Sequence, residues 1–407
     1  MTTGLASDVH LVCPRCAHDH DPADLMAYRG CPRCADDGVV VNLQARLPPG
    51  RVAEALRAAR DADRDGMWRW AGALPVPATG GVRLGEGDTP LLELPGLAEL
   101  AGVRRMSVKN ETVNPTWSHK DRLAAMTVAA AQAVGCDTVT AASTGNHGAA
   151  LAAYAARAGL RCVVYTLISV PPTMKTLMQA YGAEVVAVPR SEDRYHLMTE
   201  GVSRRGWFPG SNATVPPVGS HPLGVCGYRT IAYEIAEQCA GDMPDVIVVP
   251  VAYGDCVAGV AQGFADLHTA GLLDRLPVLV AAEVFGALRG RLGGRGNGPA
   301  QARDTAAFSI AAPYATEQSV SAVTGGDGTA VNVSEDELLQ AQADLARTTG
   351  LFVEASSAAA FAAARRIRES TTVPSEGHVM VIATSTGLKD PSAIGPLLPE
   401  LEIMETI

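Results

Sequence analysis

The chain has 407 residues, enough for two or three domains and a large buried core, and its 47% hydrophobic and 19% charged residues exclude an intrinsically disordered protein. A net charge of −10, from 43 acidic against 33 basic residues, argues against nucleic acid or an anionic membrane as partner. The basic residues are lopsided: 29 are Arg and only four are Lys, at positions Lys109, Lys120, Lys175 and Lys389, so any lysine chemistry has four candidates.

The opening stretch MTTGLASDVHLVC lacks a basic segment followed by a long apolar run, so a cytoplasmic protein is expected. No run approaches the roughly 18 apolar residues of a membrane span. Two identical tetrads follow, Cys13-Pro-Arg-Cys16 and Cys31-Pro-Arg-Cys34. Paired CxxC knuckles fit a small zinc ribbon over residues 1–47, in which Cys13, Cys16, Cys31 and Cys34 close a tetrahedral shell and leave no open position for catalysis. The alternatives are redox or metal-free pairs, but redox CxxC motifs stand singly at a strand-to-helix turn. His18 and His20 could replace a thiolate; the five other cysteines read as small buried hydrophobes.

After Pro48, Pro49 and Gly50 the composition predicts a helix over Arg51–Arg64, then a Trp68/Trp70 pair and a breaker-rich run from Pro75 to Gly87. Beyond it, β-branched runs predict strands at Asp137–Ala142, Arg161–Thr166, Glu184–Val188, Asp245–Val251, Val278–Val284 and His378–Thr384, separated by alanine-rich helical segments. That alternation is an α/β architecture with a mainly parallel sheet. Gly286–Gly298 reads as a mobile loop, with anion contact as the alternative.

Four segments carry chemistry. In Asn114–Arg122, Pro115 bars a helix just upstream, and Thr116 or Ser118 can cap one that places Lys120 in its opening turn, near unpaired N–H groups and close to Arg122. Both disfavour an ammonium, as a Schiff-base lysine requires. Ser143-Thr-Gly-Asn-His-Gly148 sits between a predicted strand and helix, where backbone N–H groups converge on a carboxylate or phosphate. Val251–Gly259 repeats that strand–turn–helix pattern as a second anion cradle, and Thr384-Ser-Thr386 ends a strand with three hydroxyls suited to a bound heterocycle. One amine, two anion sites and a hydroxyl cluster are what an amino acid joined to pyridoxal phosphate needs.

LGEGDTPL (Leu84–Leu91), VKNETVNPTWSHKDR (Val108–Arg122), ASTGNHGAALAAYAARAG (Ala142–Gly159) and TGLKDP (Thr386–Pro391) resemble threonine synthase and its relatives among the fold type II pyridoxal phosphate enzymes, the tryptophan synthase beta superfamily. The resemblance implies a large domain from residues 48–122 and 223–407, a small α/β domain from 123–222, and a homodimer. It implies that Lys120 is the Schiff-base lysine and the base at Cα, and that Asn146 bonds the cofactor's phenolic oxygen. Ala252, Tyr253, Gly254, Asp255 and Cys256 would surround the cofactor phosphate, and Thr384 would face the pyridine nitrogen. Ser143, Thr144 and His147 would hold the substrate carboxylate, beside Trp117 and His119. The expected reaction is elimination or replacement at Cβ or Cγ of an amino acid by a carbon–oxygen lyase or synthase. Dehydration of serine or threonine, cysteine- or cysteate-forming β-replacement, and a non-catalytic binding protein on the same scaffold are the alternatives. Several positions depart from the family pattern: Trp117 for glycine, His119 for phenylalanine, Ala252-Tyr253 for Gly-Asn, Cys256 for asparagine, and no arginine shortly before Gly227-Tyr-Arg-Thr230, where Arg229 is the substitute on offer. These losses weaken the expected grip on a phosphate leaving group.

Overall fold

A computed structural model describes residues 4–59, 65–77, 82–370 and 377–400. Three sheets organise them. The amino-terminal ribbon pairs β1 (His10–Val12) antiparallel with β2 (Asp19–His20) and β3 (Gln44–Arg46). The largest sheet has β4 (Leu91–Glu93) and β5 (Arg105–Asn110) at one side, and β6 (Thr138–Ala142), β7 (Arg161–Leu167), β8 (Glu184–Val188) and β9 (Phe208–Pro209) form a separate sheet in the order β8-β7-β6-β9, all parallel. The chain then returns to the first, where β10 (Val246–Pro250), β11 (Val278–Glu283), β12 (Thr329–Asn332) and β13 (His378–Ala383) complete the order β12-β11-β10-β13-β5-β4, with only β4 antiparallel. One expected parallel sheet is therefore two.

The strands alternate faces as the pleat requires. Val246 and Val248 of β10 join one apolar cluster and Ile247 and Val249 the other, so the large sheet is buried on both sides. The helix Lys120–Ala133 is buried at every position from Asp121 to Ala131, which its alanine-rich, all-round apolar composition permits, and it packs against the neighbouring alanine-rich helix Asn146–Ala158. Among the described residues no helix is long and apolar enough to cross a membrane.

Two expectations need correction. β5 (RMSVKN) was not predicted because Arg, Lys and Asn interrupt its apolar pattern, yet Lys109 is fully buried against Glu234. The Gly286–Gly298 segment begins as the helix Ala287–Leu292 rather than a loop, because the Glu283 carboxylate accepts from the N–H groups of Leu288 (2.9 Å) and Arg289 (2.6 Å) at its start. The helix expected over Arg51–Arg64 spans Pro49–Ala59; its residues 60–64, and 78–81 of the breaker-rich run, lie outside the described residues.

Candidate active site

A cleft of about 930 Å³ opens at the carboxyl ends of β6, β10 and β13, a size suited to a cofactor with its substrate. It is lined by His119, Lys120, Ser143, Thr144, Asn146, His147, Ala252, Tyr253, Gly254, Asp255, Cys256 and Thr384, so residues far apart in the chain converge on one space.

Lys120 opens its helix with its Nζ 5.7 Å from the Tyr228 ring centre. Among the described residues it is the one lysine whose amine makes no hydrogen bond or ion pair. Lys109 donates to Thr89, Glu234 and Gln238, Lys175 to the Ile168 carbonyl, and Lys389 to Asn146. Arg122 does not act on Lys120 as the sequence suggested. It is fully buried and donates to both oxygens of Glu111 and of Glu234 at 2.6–2.8 Å, so its charge is neutralised away from the amine. His119 stacks on Tyr228 with ring centres 5.3 Å apart and donates its Nδ1–H to the Thr384 carbonyl at 3.1 Å; burial, helped by the Lys120 charge, holds it well below the usual histidine range.

The Ser143–His147 turn is shaped by Ser143, whose Oγ accepts from the N–H groups of Gly145 (3.3 Å) and Gly148 (2.9 Å). The N–H groups of Asn146 and His147, in the first turn of their helix, have no carbonyl of that helix to meet. The Nε2 of His147 is buried without a hydrogen-bond partner, and burial pushes its pKa down to about 3, so it offers a neutral imidazole to a ligand. The Asn146 amide is locked from both sides: its Oδ1 accepts from Lys389 (2.6 Å) and Ser385 (3.3 Å), and its Nδ2 donates to Glu354 at 2.7 Å. One Nδ2 hydrogen is left over.

At the second cradle, Gly254 has φ +84 and a Cβ there would stand 2.5 Å from the Ser319 Cβ, so only glycine fits. The helix Asp255–Thr269 begins directly after it with its first N–H groups unpaired along the helix and its dipole positive toward the turn. The Asp255 carboxylate would oppose an anion, but it is held by the Ser220 N–H (3.0 Å), the Ser220 hydroxyl (2.6 Å) and Gln318 Nε2 (2.7 Å). Burial raises the Cys256 thiol to about 12, which keeps it protonated and inert.

Two expected site residues are elsewhere. Trp117 does not line the cleft: it is 46% exposed and sits at φ +60, the backbone geometry that explains why relatives would carry glycine. Arg229 is buried against the ribbon, bonding the Ala45 carbonyl, Gln262 and Asp266, and cannot replace a cleft arginine. Sequence reasoning missed three others. Glu354 and Lys389 hold Asn146 from behind, and Lys389, one of the four lysines counted in the sequence, is only 2% exposed; burial pushes its pKa down to about 8. Arg194 lines the cleft 6% exposed; it donates to Ser191 Oγ at 2.9 Å, its Nε has no partner, and among the described residues it makes no ion pair.

The four ribbon cysteines converge with Sγ atoms all within 4.8 Å of one another, Cys13–Cys34 and Cys16–Cys31 at 3.6 Å. Four thiolates about 2.3 Å from one zinc stand about 3.8 Å apart, so the quartet fits that ion. His18 and His20 lie outside it, their ring centres 4.7 Å apart.

Residues 82–385 match the family model of pyridoxal-phosphate dependent enzymes. The chain is 33% identical over 337 residues to the threonine synthase of Methanocaldococcus jannaschii, covering 81% of this chain and 82% of that one. It is 33% identical over 316 residues to the threonine synthase of Mycobacterium tuberculosis, covering 76% and 84%. In fold it is similar to the crystal structures of O-ureido-L-serine synthase (TM-score 0.61, 24% identity, 81% and 93% covered) and of diaminopropionate ammonia lyase from Escherichia coli (TM-score 0.66, 16% identity, 84% and 91% covered).

Proposed function

The chain belongs to the pyridoxal-phosphate dependent enzyme family and is of the threonine synthase type, and from that premise we propose that it is a carbon–oxygen lyase or synthase, acting at Cβ or Cγ of an O-substituted amino acid. The observation that carries this reading is the unpaired Lys120 amine, set in one cleft with Asn146, Thr384 and the Ala252–Cys256 turn. Bound pyridoxal phosphate supplies the electron sink that makes the Cα proton acidic. In this proposal Lys120 holds the cofactor and then takes the Cα proton, which an amine without a carboxylate partner is free to do. Asn146 gives its remaining Nδ2 hydrogen to the cofactor's phenolic oxygen, Thr384 faces the pyridine nitrogen, and the N–H groups at Gly254–Cys256 take the phosphate. The Asn146 and His147 N–H groups, with Thr144 and neutral His147, hold the substrate carboxylate, while Ser143 shapes the turn. Purified protein should show a visible absorbance band that borohydride abolishes; if Lys120→Ala keeps a borohydride-sensitive band, the lysine assignment is wrong.

For the leaving group, Arg194 provides the cleft guanidinium that Arg229 does not. Its burial with no ion pair among the described residues, Glu192 of the same cleft acting on it only through space, favours an anionic substituent, a phosphate included. We further propose a structural zinc on Cys13, Cys16, Cys31 and Cys34. The homodimer and cytoplasmic location are part of the same proposal; a monomer mass in light scattering would remove the first, and exclusion from the soluble cytosolic fraction the second.

A further inference from the structure

The ribbon is joined to the second cradle by hydrogen bonds that run through the Val41–Asn42 peptide link. Cys31, one of the four clustered cysteines, donates its N–H to the Val41 carbonyl at 2.9 Å. The next residue, Asn42, is 3% exposed; its Oδ1 accepts from the Leu43 N–H, and its Nδ2 donates to the Ser220 carbonyl (3.1 Å) and to Gln318 Oε1 (2.9 Å). Gln318, thus oriented, turns its Nε2 onto the Tyr253 carbonyl (2.9 Å) and the Asp255 carboxylate (2.7 Å), the residues either side of Gly254. The node is packed without slack. Gly219 (φ +131) sits in its middle, where a Cβ would lie 2.2 Å from Gln318 Nε2, 2.7 Å from Asp255 Oδ1 and 2.9 Å from Asn42 Nδ2.

We propose that Asn42 and Gln318 are positioning residues through which the cysteine-clustered ribbon holds the Tyr253–Cys256 turn in its cofactor-binding form. This rests on the reading of that turn as the phosphate cradle. The physical reason is orientation. An amide at Gln318 could equally present its oxygen to Asp255, which would repel the carboxylate and release the turn; the Asn42 donor fixes the productive orientation. If the four cysteines hold zinc as proposed, losing it would loosen Cys31 and Val41, and with them Asn42.

The test is cofactor affinity, read by absorbance as pyridoxal phosphate is titrated into apoprotein. Asn42→Asp keeps the shape and the Leu43 contact but removes the donor. It should weaken affinity by at least about threefold to tenfold, the range for one hydrogen bond, since the donor serves both Ser220 and Gln318, with the four cysteines retained. Gln318→Met should weaken it at least as much, and the double variant should lose less than the product of the two losses, because Asn42 acts on Asp255 partly through Gln318 and partly through Ser220. Stripping zinc should weaken wild type and leave Asn42→Asp unchanged. Wild-type affinity in Asn42→Asp, or losses that multiply in the double variant, would overturn the proposal. Gly254→Ala separates it from its premise: if that variant also binds normally, the cradle reading itself fails, whereas a weakened Gly254→Ala beside a normal Asn42→Asp removes only the ribbon's role.

Discussion

At the scale of single residues, the free amine of Lys120 is a consequence of where the other charges went. The buried carboxylates Glu111 and Glu234 are occupied by Arg122 and Lys109, and the buried Asp121, next to Lys120 in the helix's first turn, is held by the Thr116 N–H and hydroxyl. Lys120, Asn146 and Thr384, which meet in one cleft, stood out in the sequence because each sits in a short motif, Lys120 at a helix start after Pro115 and the other two beside a predicted strand end. Arg194 did not, since one arginine among 29 carries no local mark; only tertiary packing shows that it is buried in the cleft and makes no ion pair among the described residues. Arg194→Met keeps the apolar stem and removes the charge. On an O-phosphorylated substrate kcat/KM should fall at least about tenfold, as expected for a charge-assisted bond of about 1.5–3 kcal/mol, with O-acetylated substrates little changed. Equal losses on both would make the residue a scaffold. Glu354 and Lys389 were hidden for a related reason: each reaches Asn146 across more than 200 residues of chain.

Among the elements, those with a clean period and turn chemistry were read to within a residue or two, as for β6, β7, β8, β10, β11 and β13. β5 failed because an ion pair made with a distant helix, Arg229–Gln238, pays for a lysine inside the sheet, and no local pattern encodes that partner. The ribbon is the opposite case, with the cysteine spacing alone naming its four clustered residues. If it binds zinc as proposed, metal analysis should give one zinc per chain, and chelation or Cys31→Ser should lower the melting temperature, because the ribbon's buried residues Val9, Leu11 and Cys13 share a core with the helix Lys120–Ala133. A metal-free preparation with an unchanged melting temperature would argue against a structural ion.

The molecule as a whole is pinned where β5, the Glu111–Val113 turn and the helices Lys120–Ala133 and Arg229–Gln238 meet in the Lys109–Glu234–Arg122–Glu111 network, two cations against two carboxylates and all at most 1% exposed. Glu234→Gln should cost about 3–5 kcal/mol in denaturant unfolding, since it strands a buried positive charge. Acid should act along the same line. Burial holds His147 and His221 down to about 3 from 6.5, so the unfolded chain takes up protons first and stability falls as pH drops through that interval. Against burial, Arg122 and Lys109 hold Glu111 and Glu234 below 4.5, which adds a further loss under that pH. Asp121, raised by burial to about 7, works the other way, its contribution being full below 3.8 and lost as pH rises to about 7. Glu283, also raised by burial, acts with Asp121, but the lowered groups, with His119 and His378 held down by burial among them, outnumber these two and leave a net decline toward acid. Denaturation midpoints between pH 7 and 4 check it, and His221→Asn, which keeps an acceptor for the Leu223 N–H, should flatten the upper part of the curve.

Trp117 gives the protein an optical handle. Of four tryptophans, Trp68 and Trp70 are buried and Trp207 is 5% exposed, so the red-shifted indole emission belongs to Trp117. Its carbonyl is tied to Thr386 and Ser385, and it stands three residues before Lys120. If Lys120 carries the cofactor as proposed, energy transfer from that indole to the chromophore would report loading of the cleft in real time, without a label.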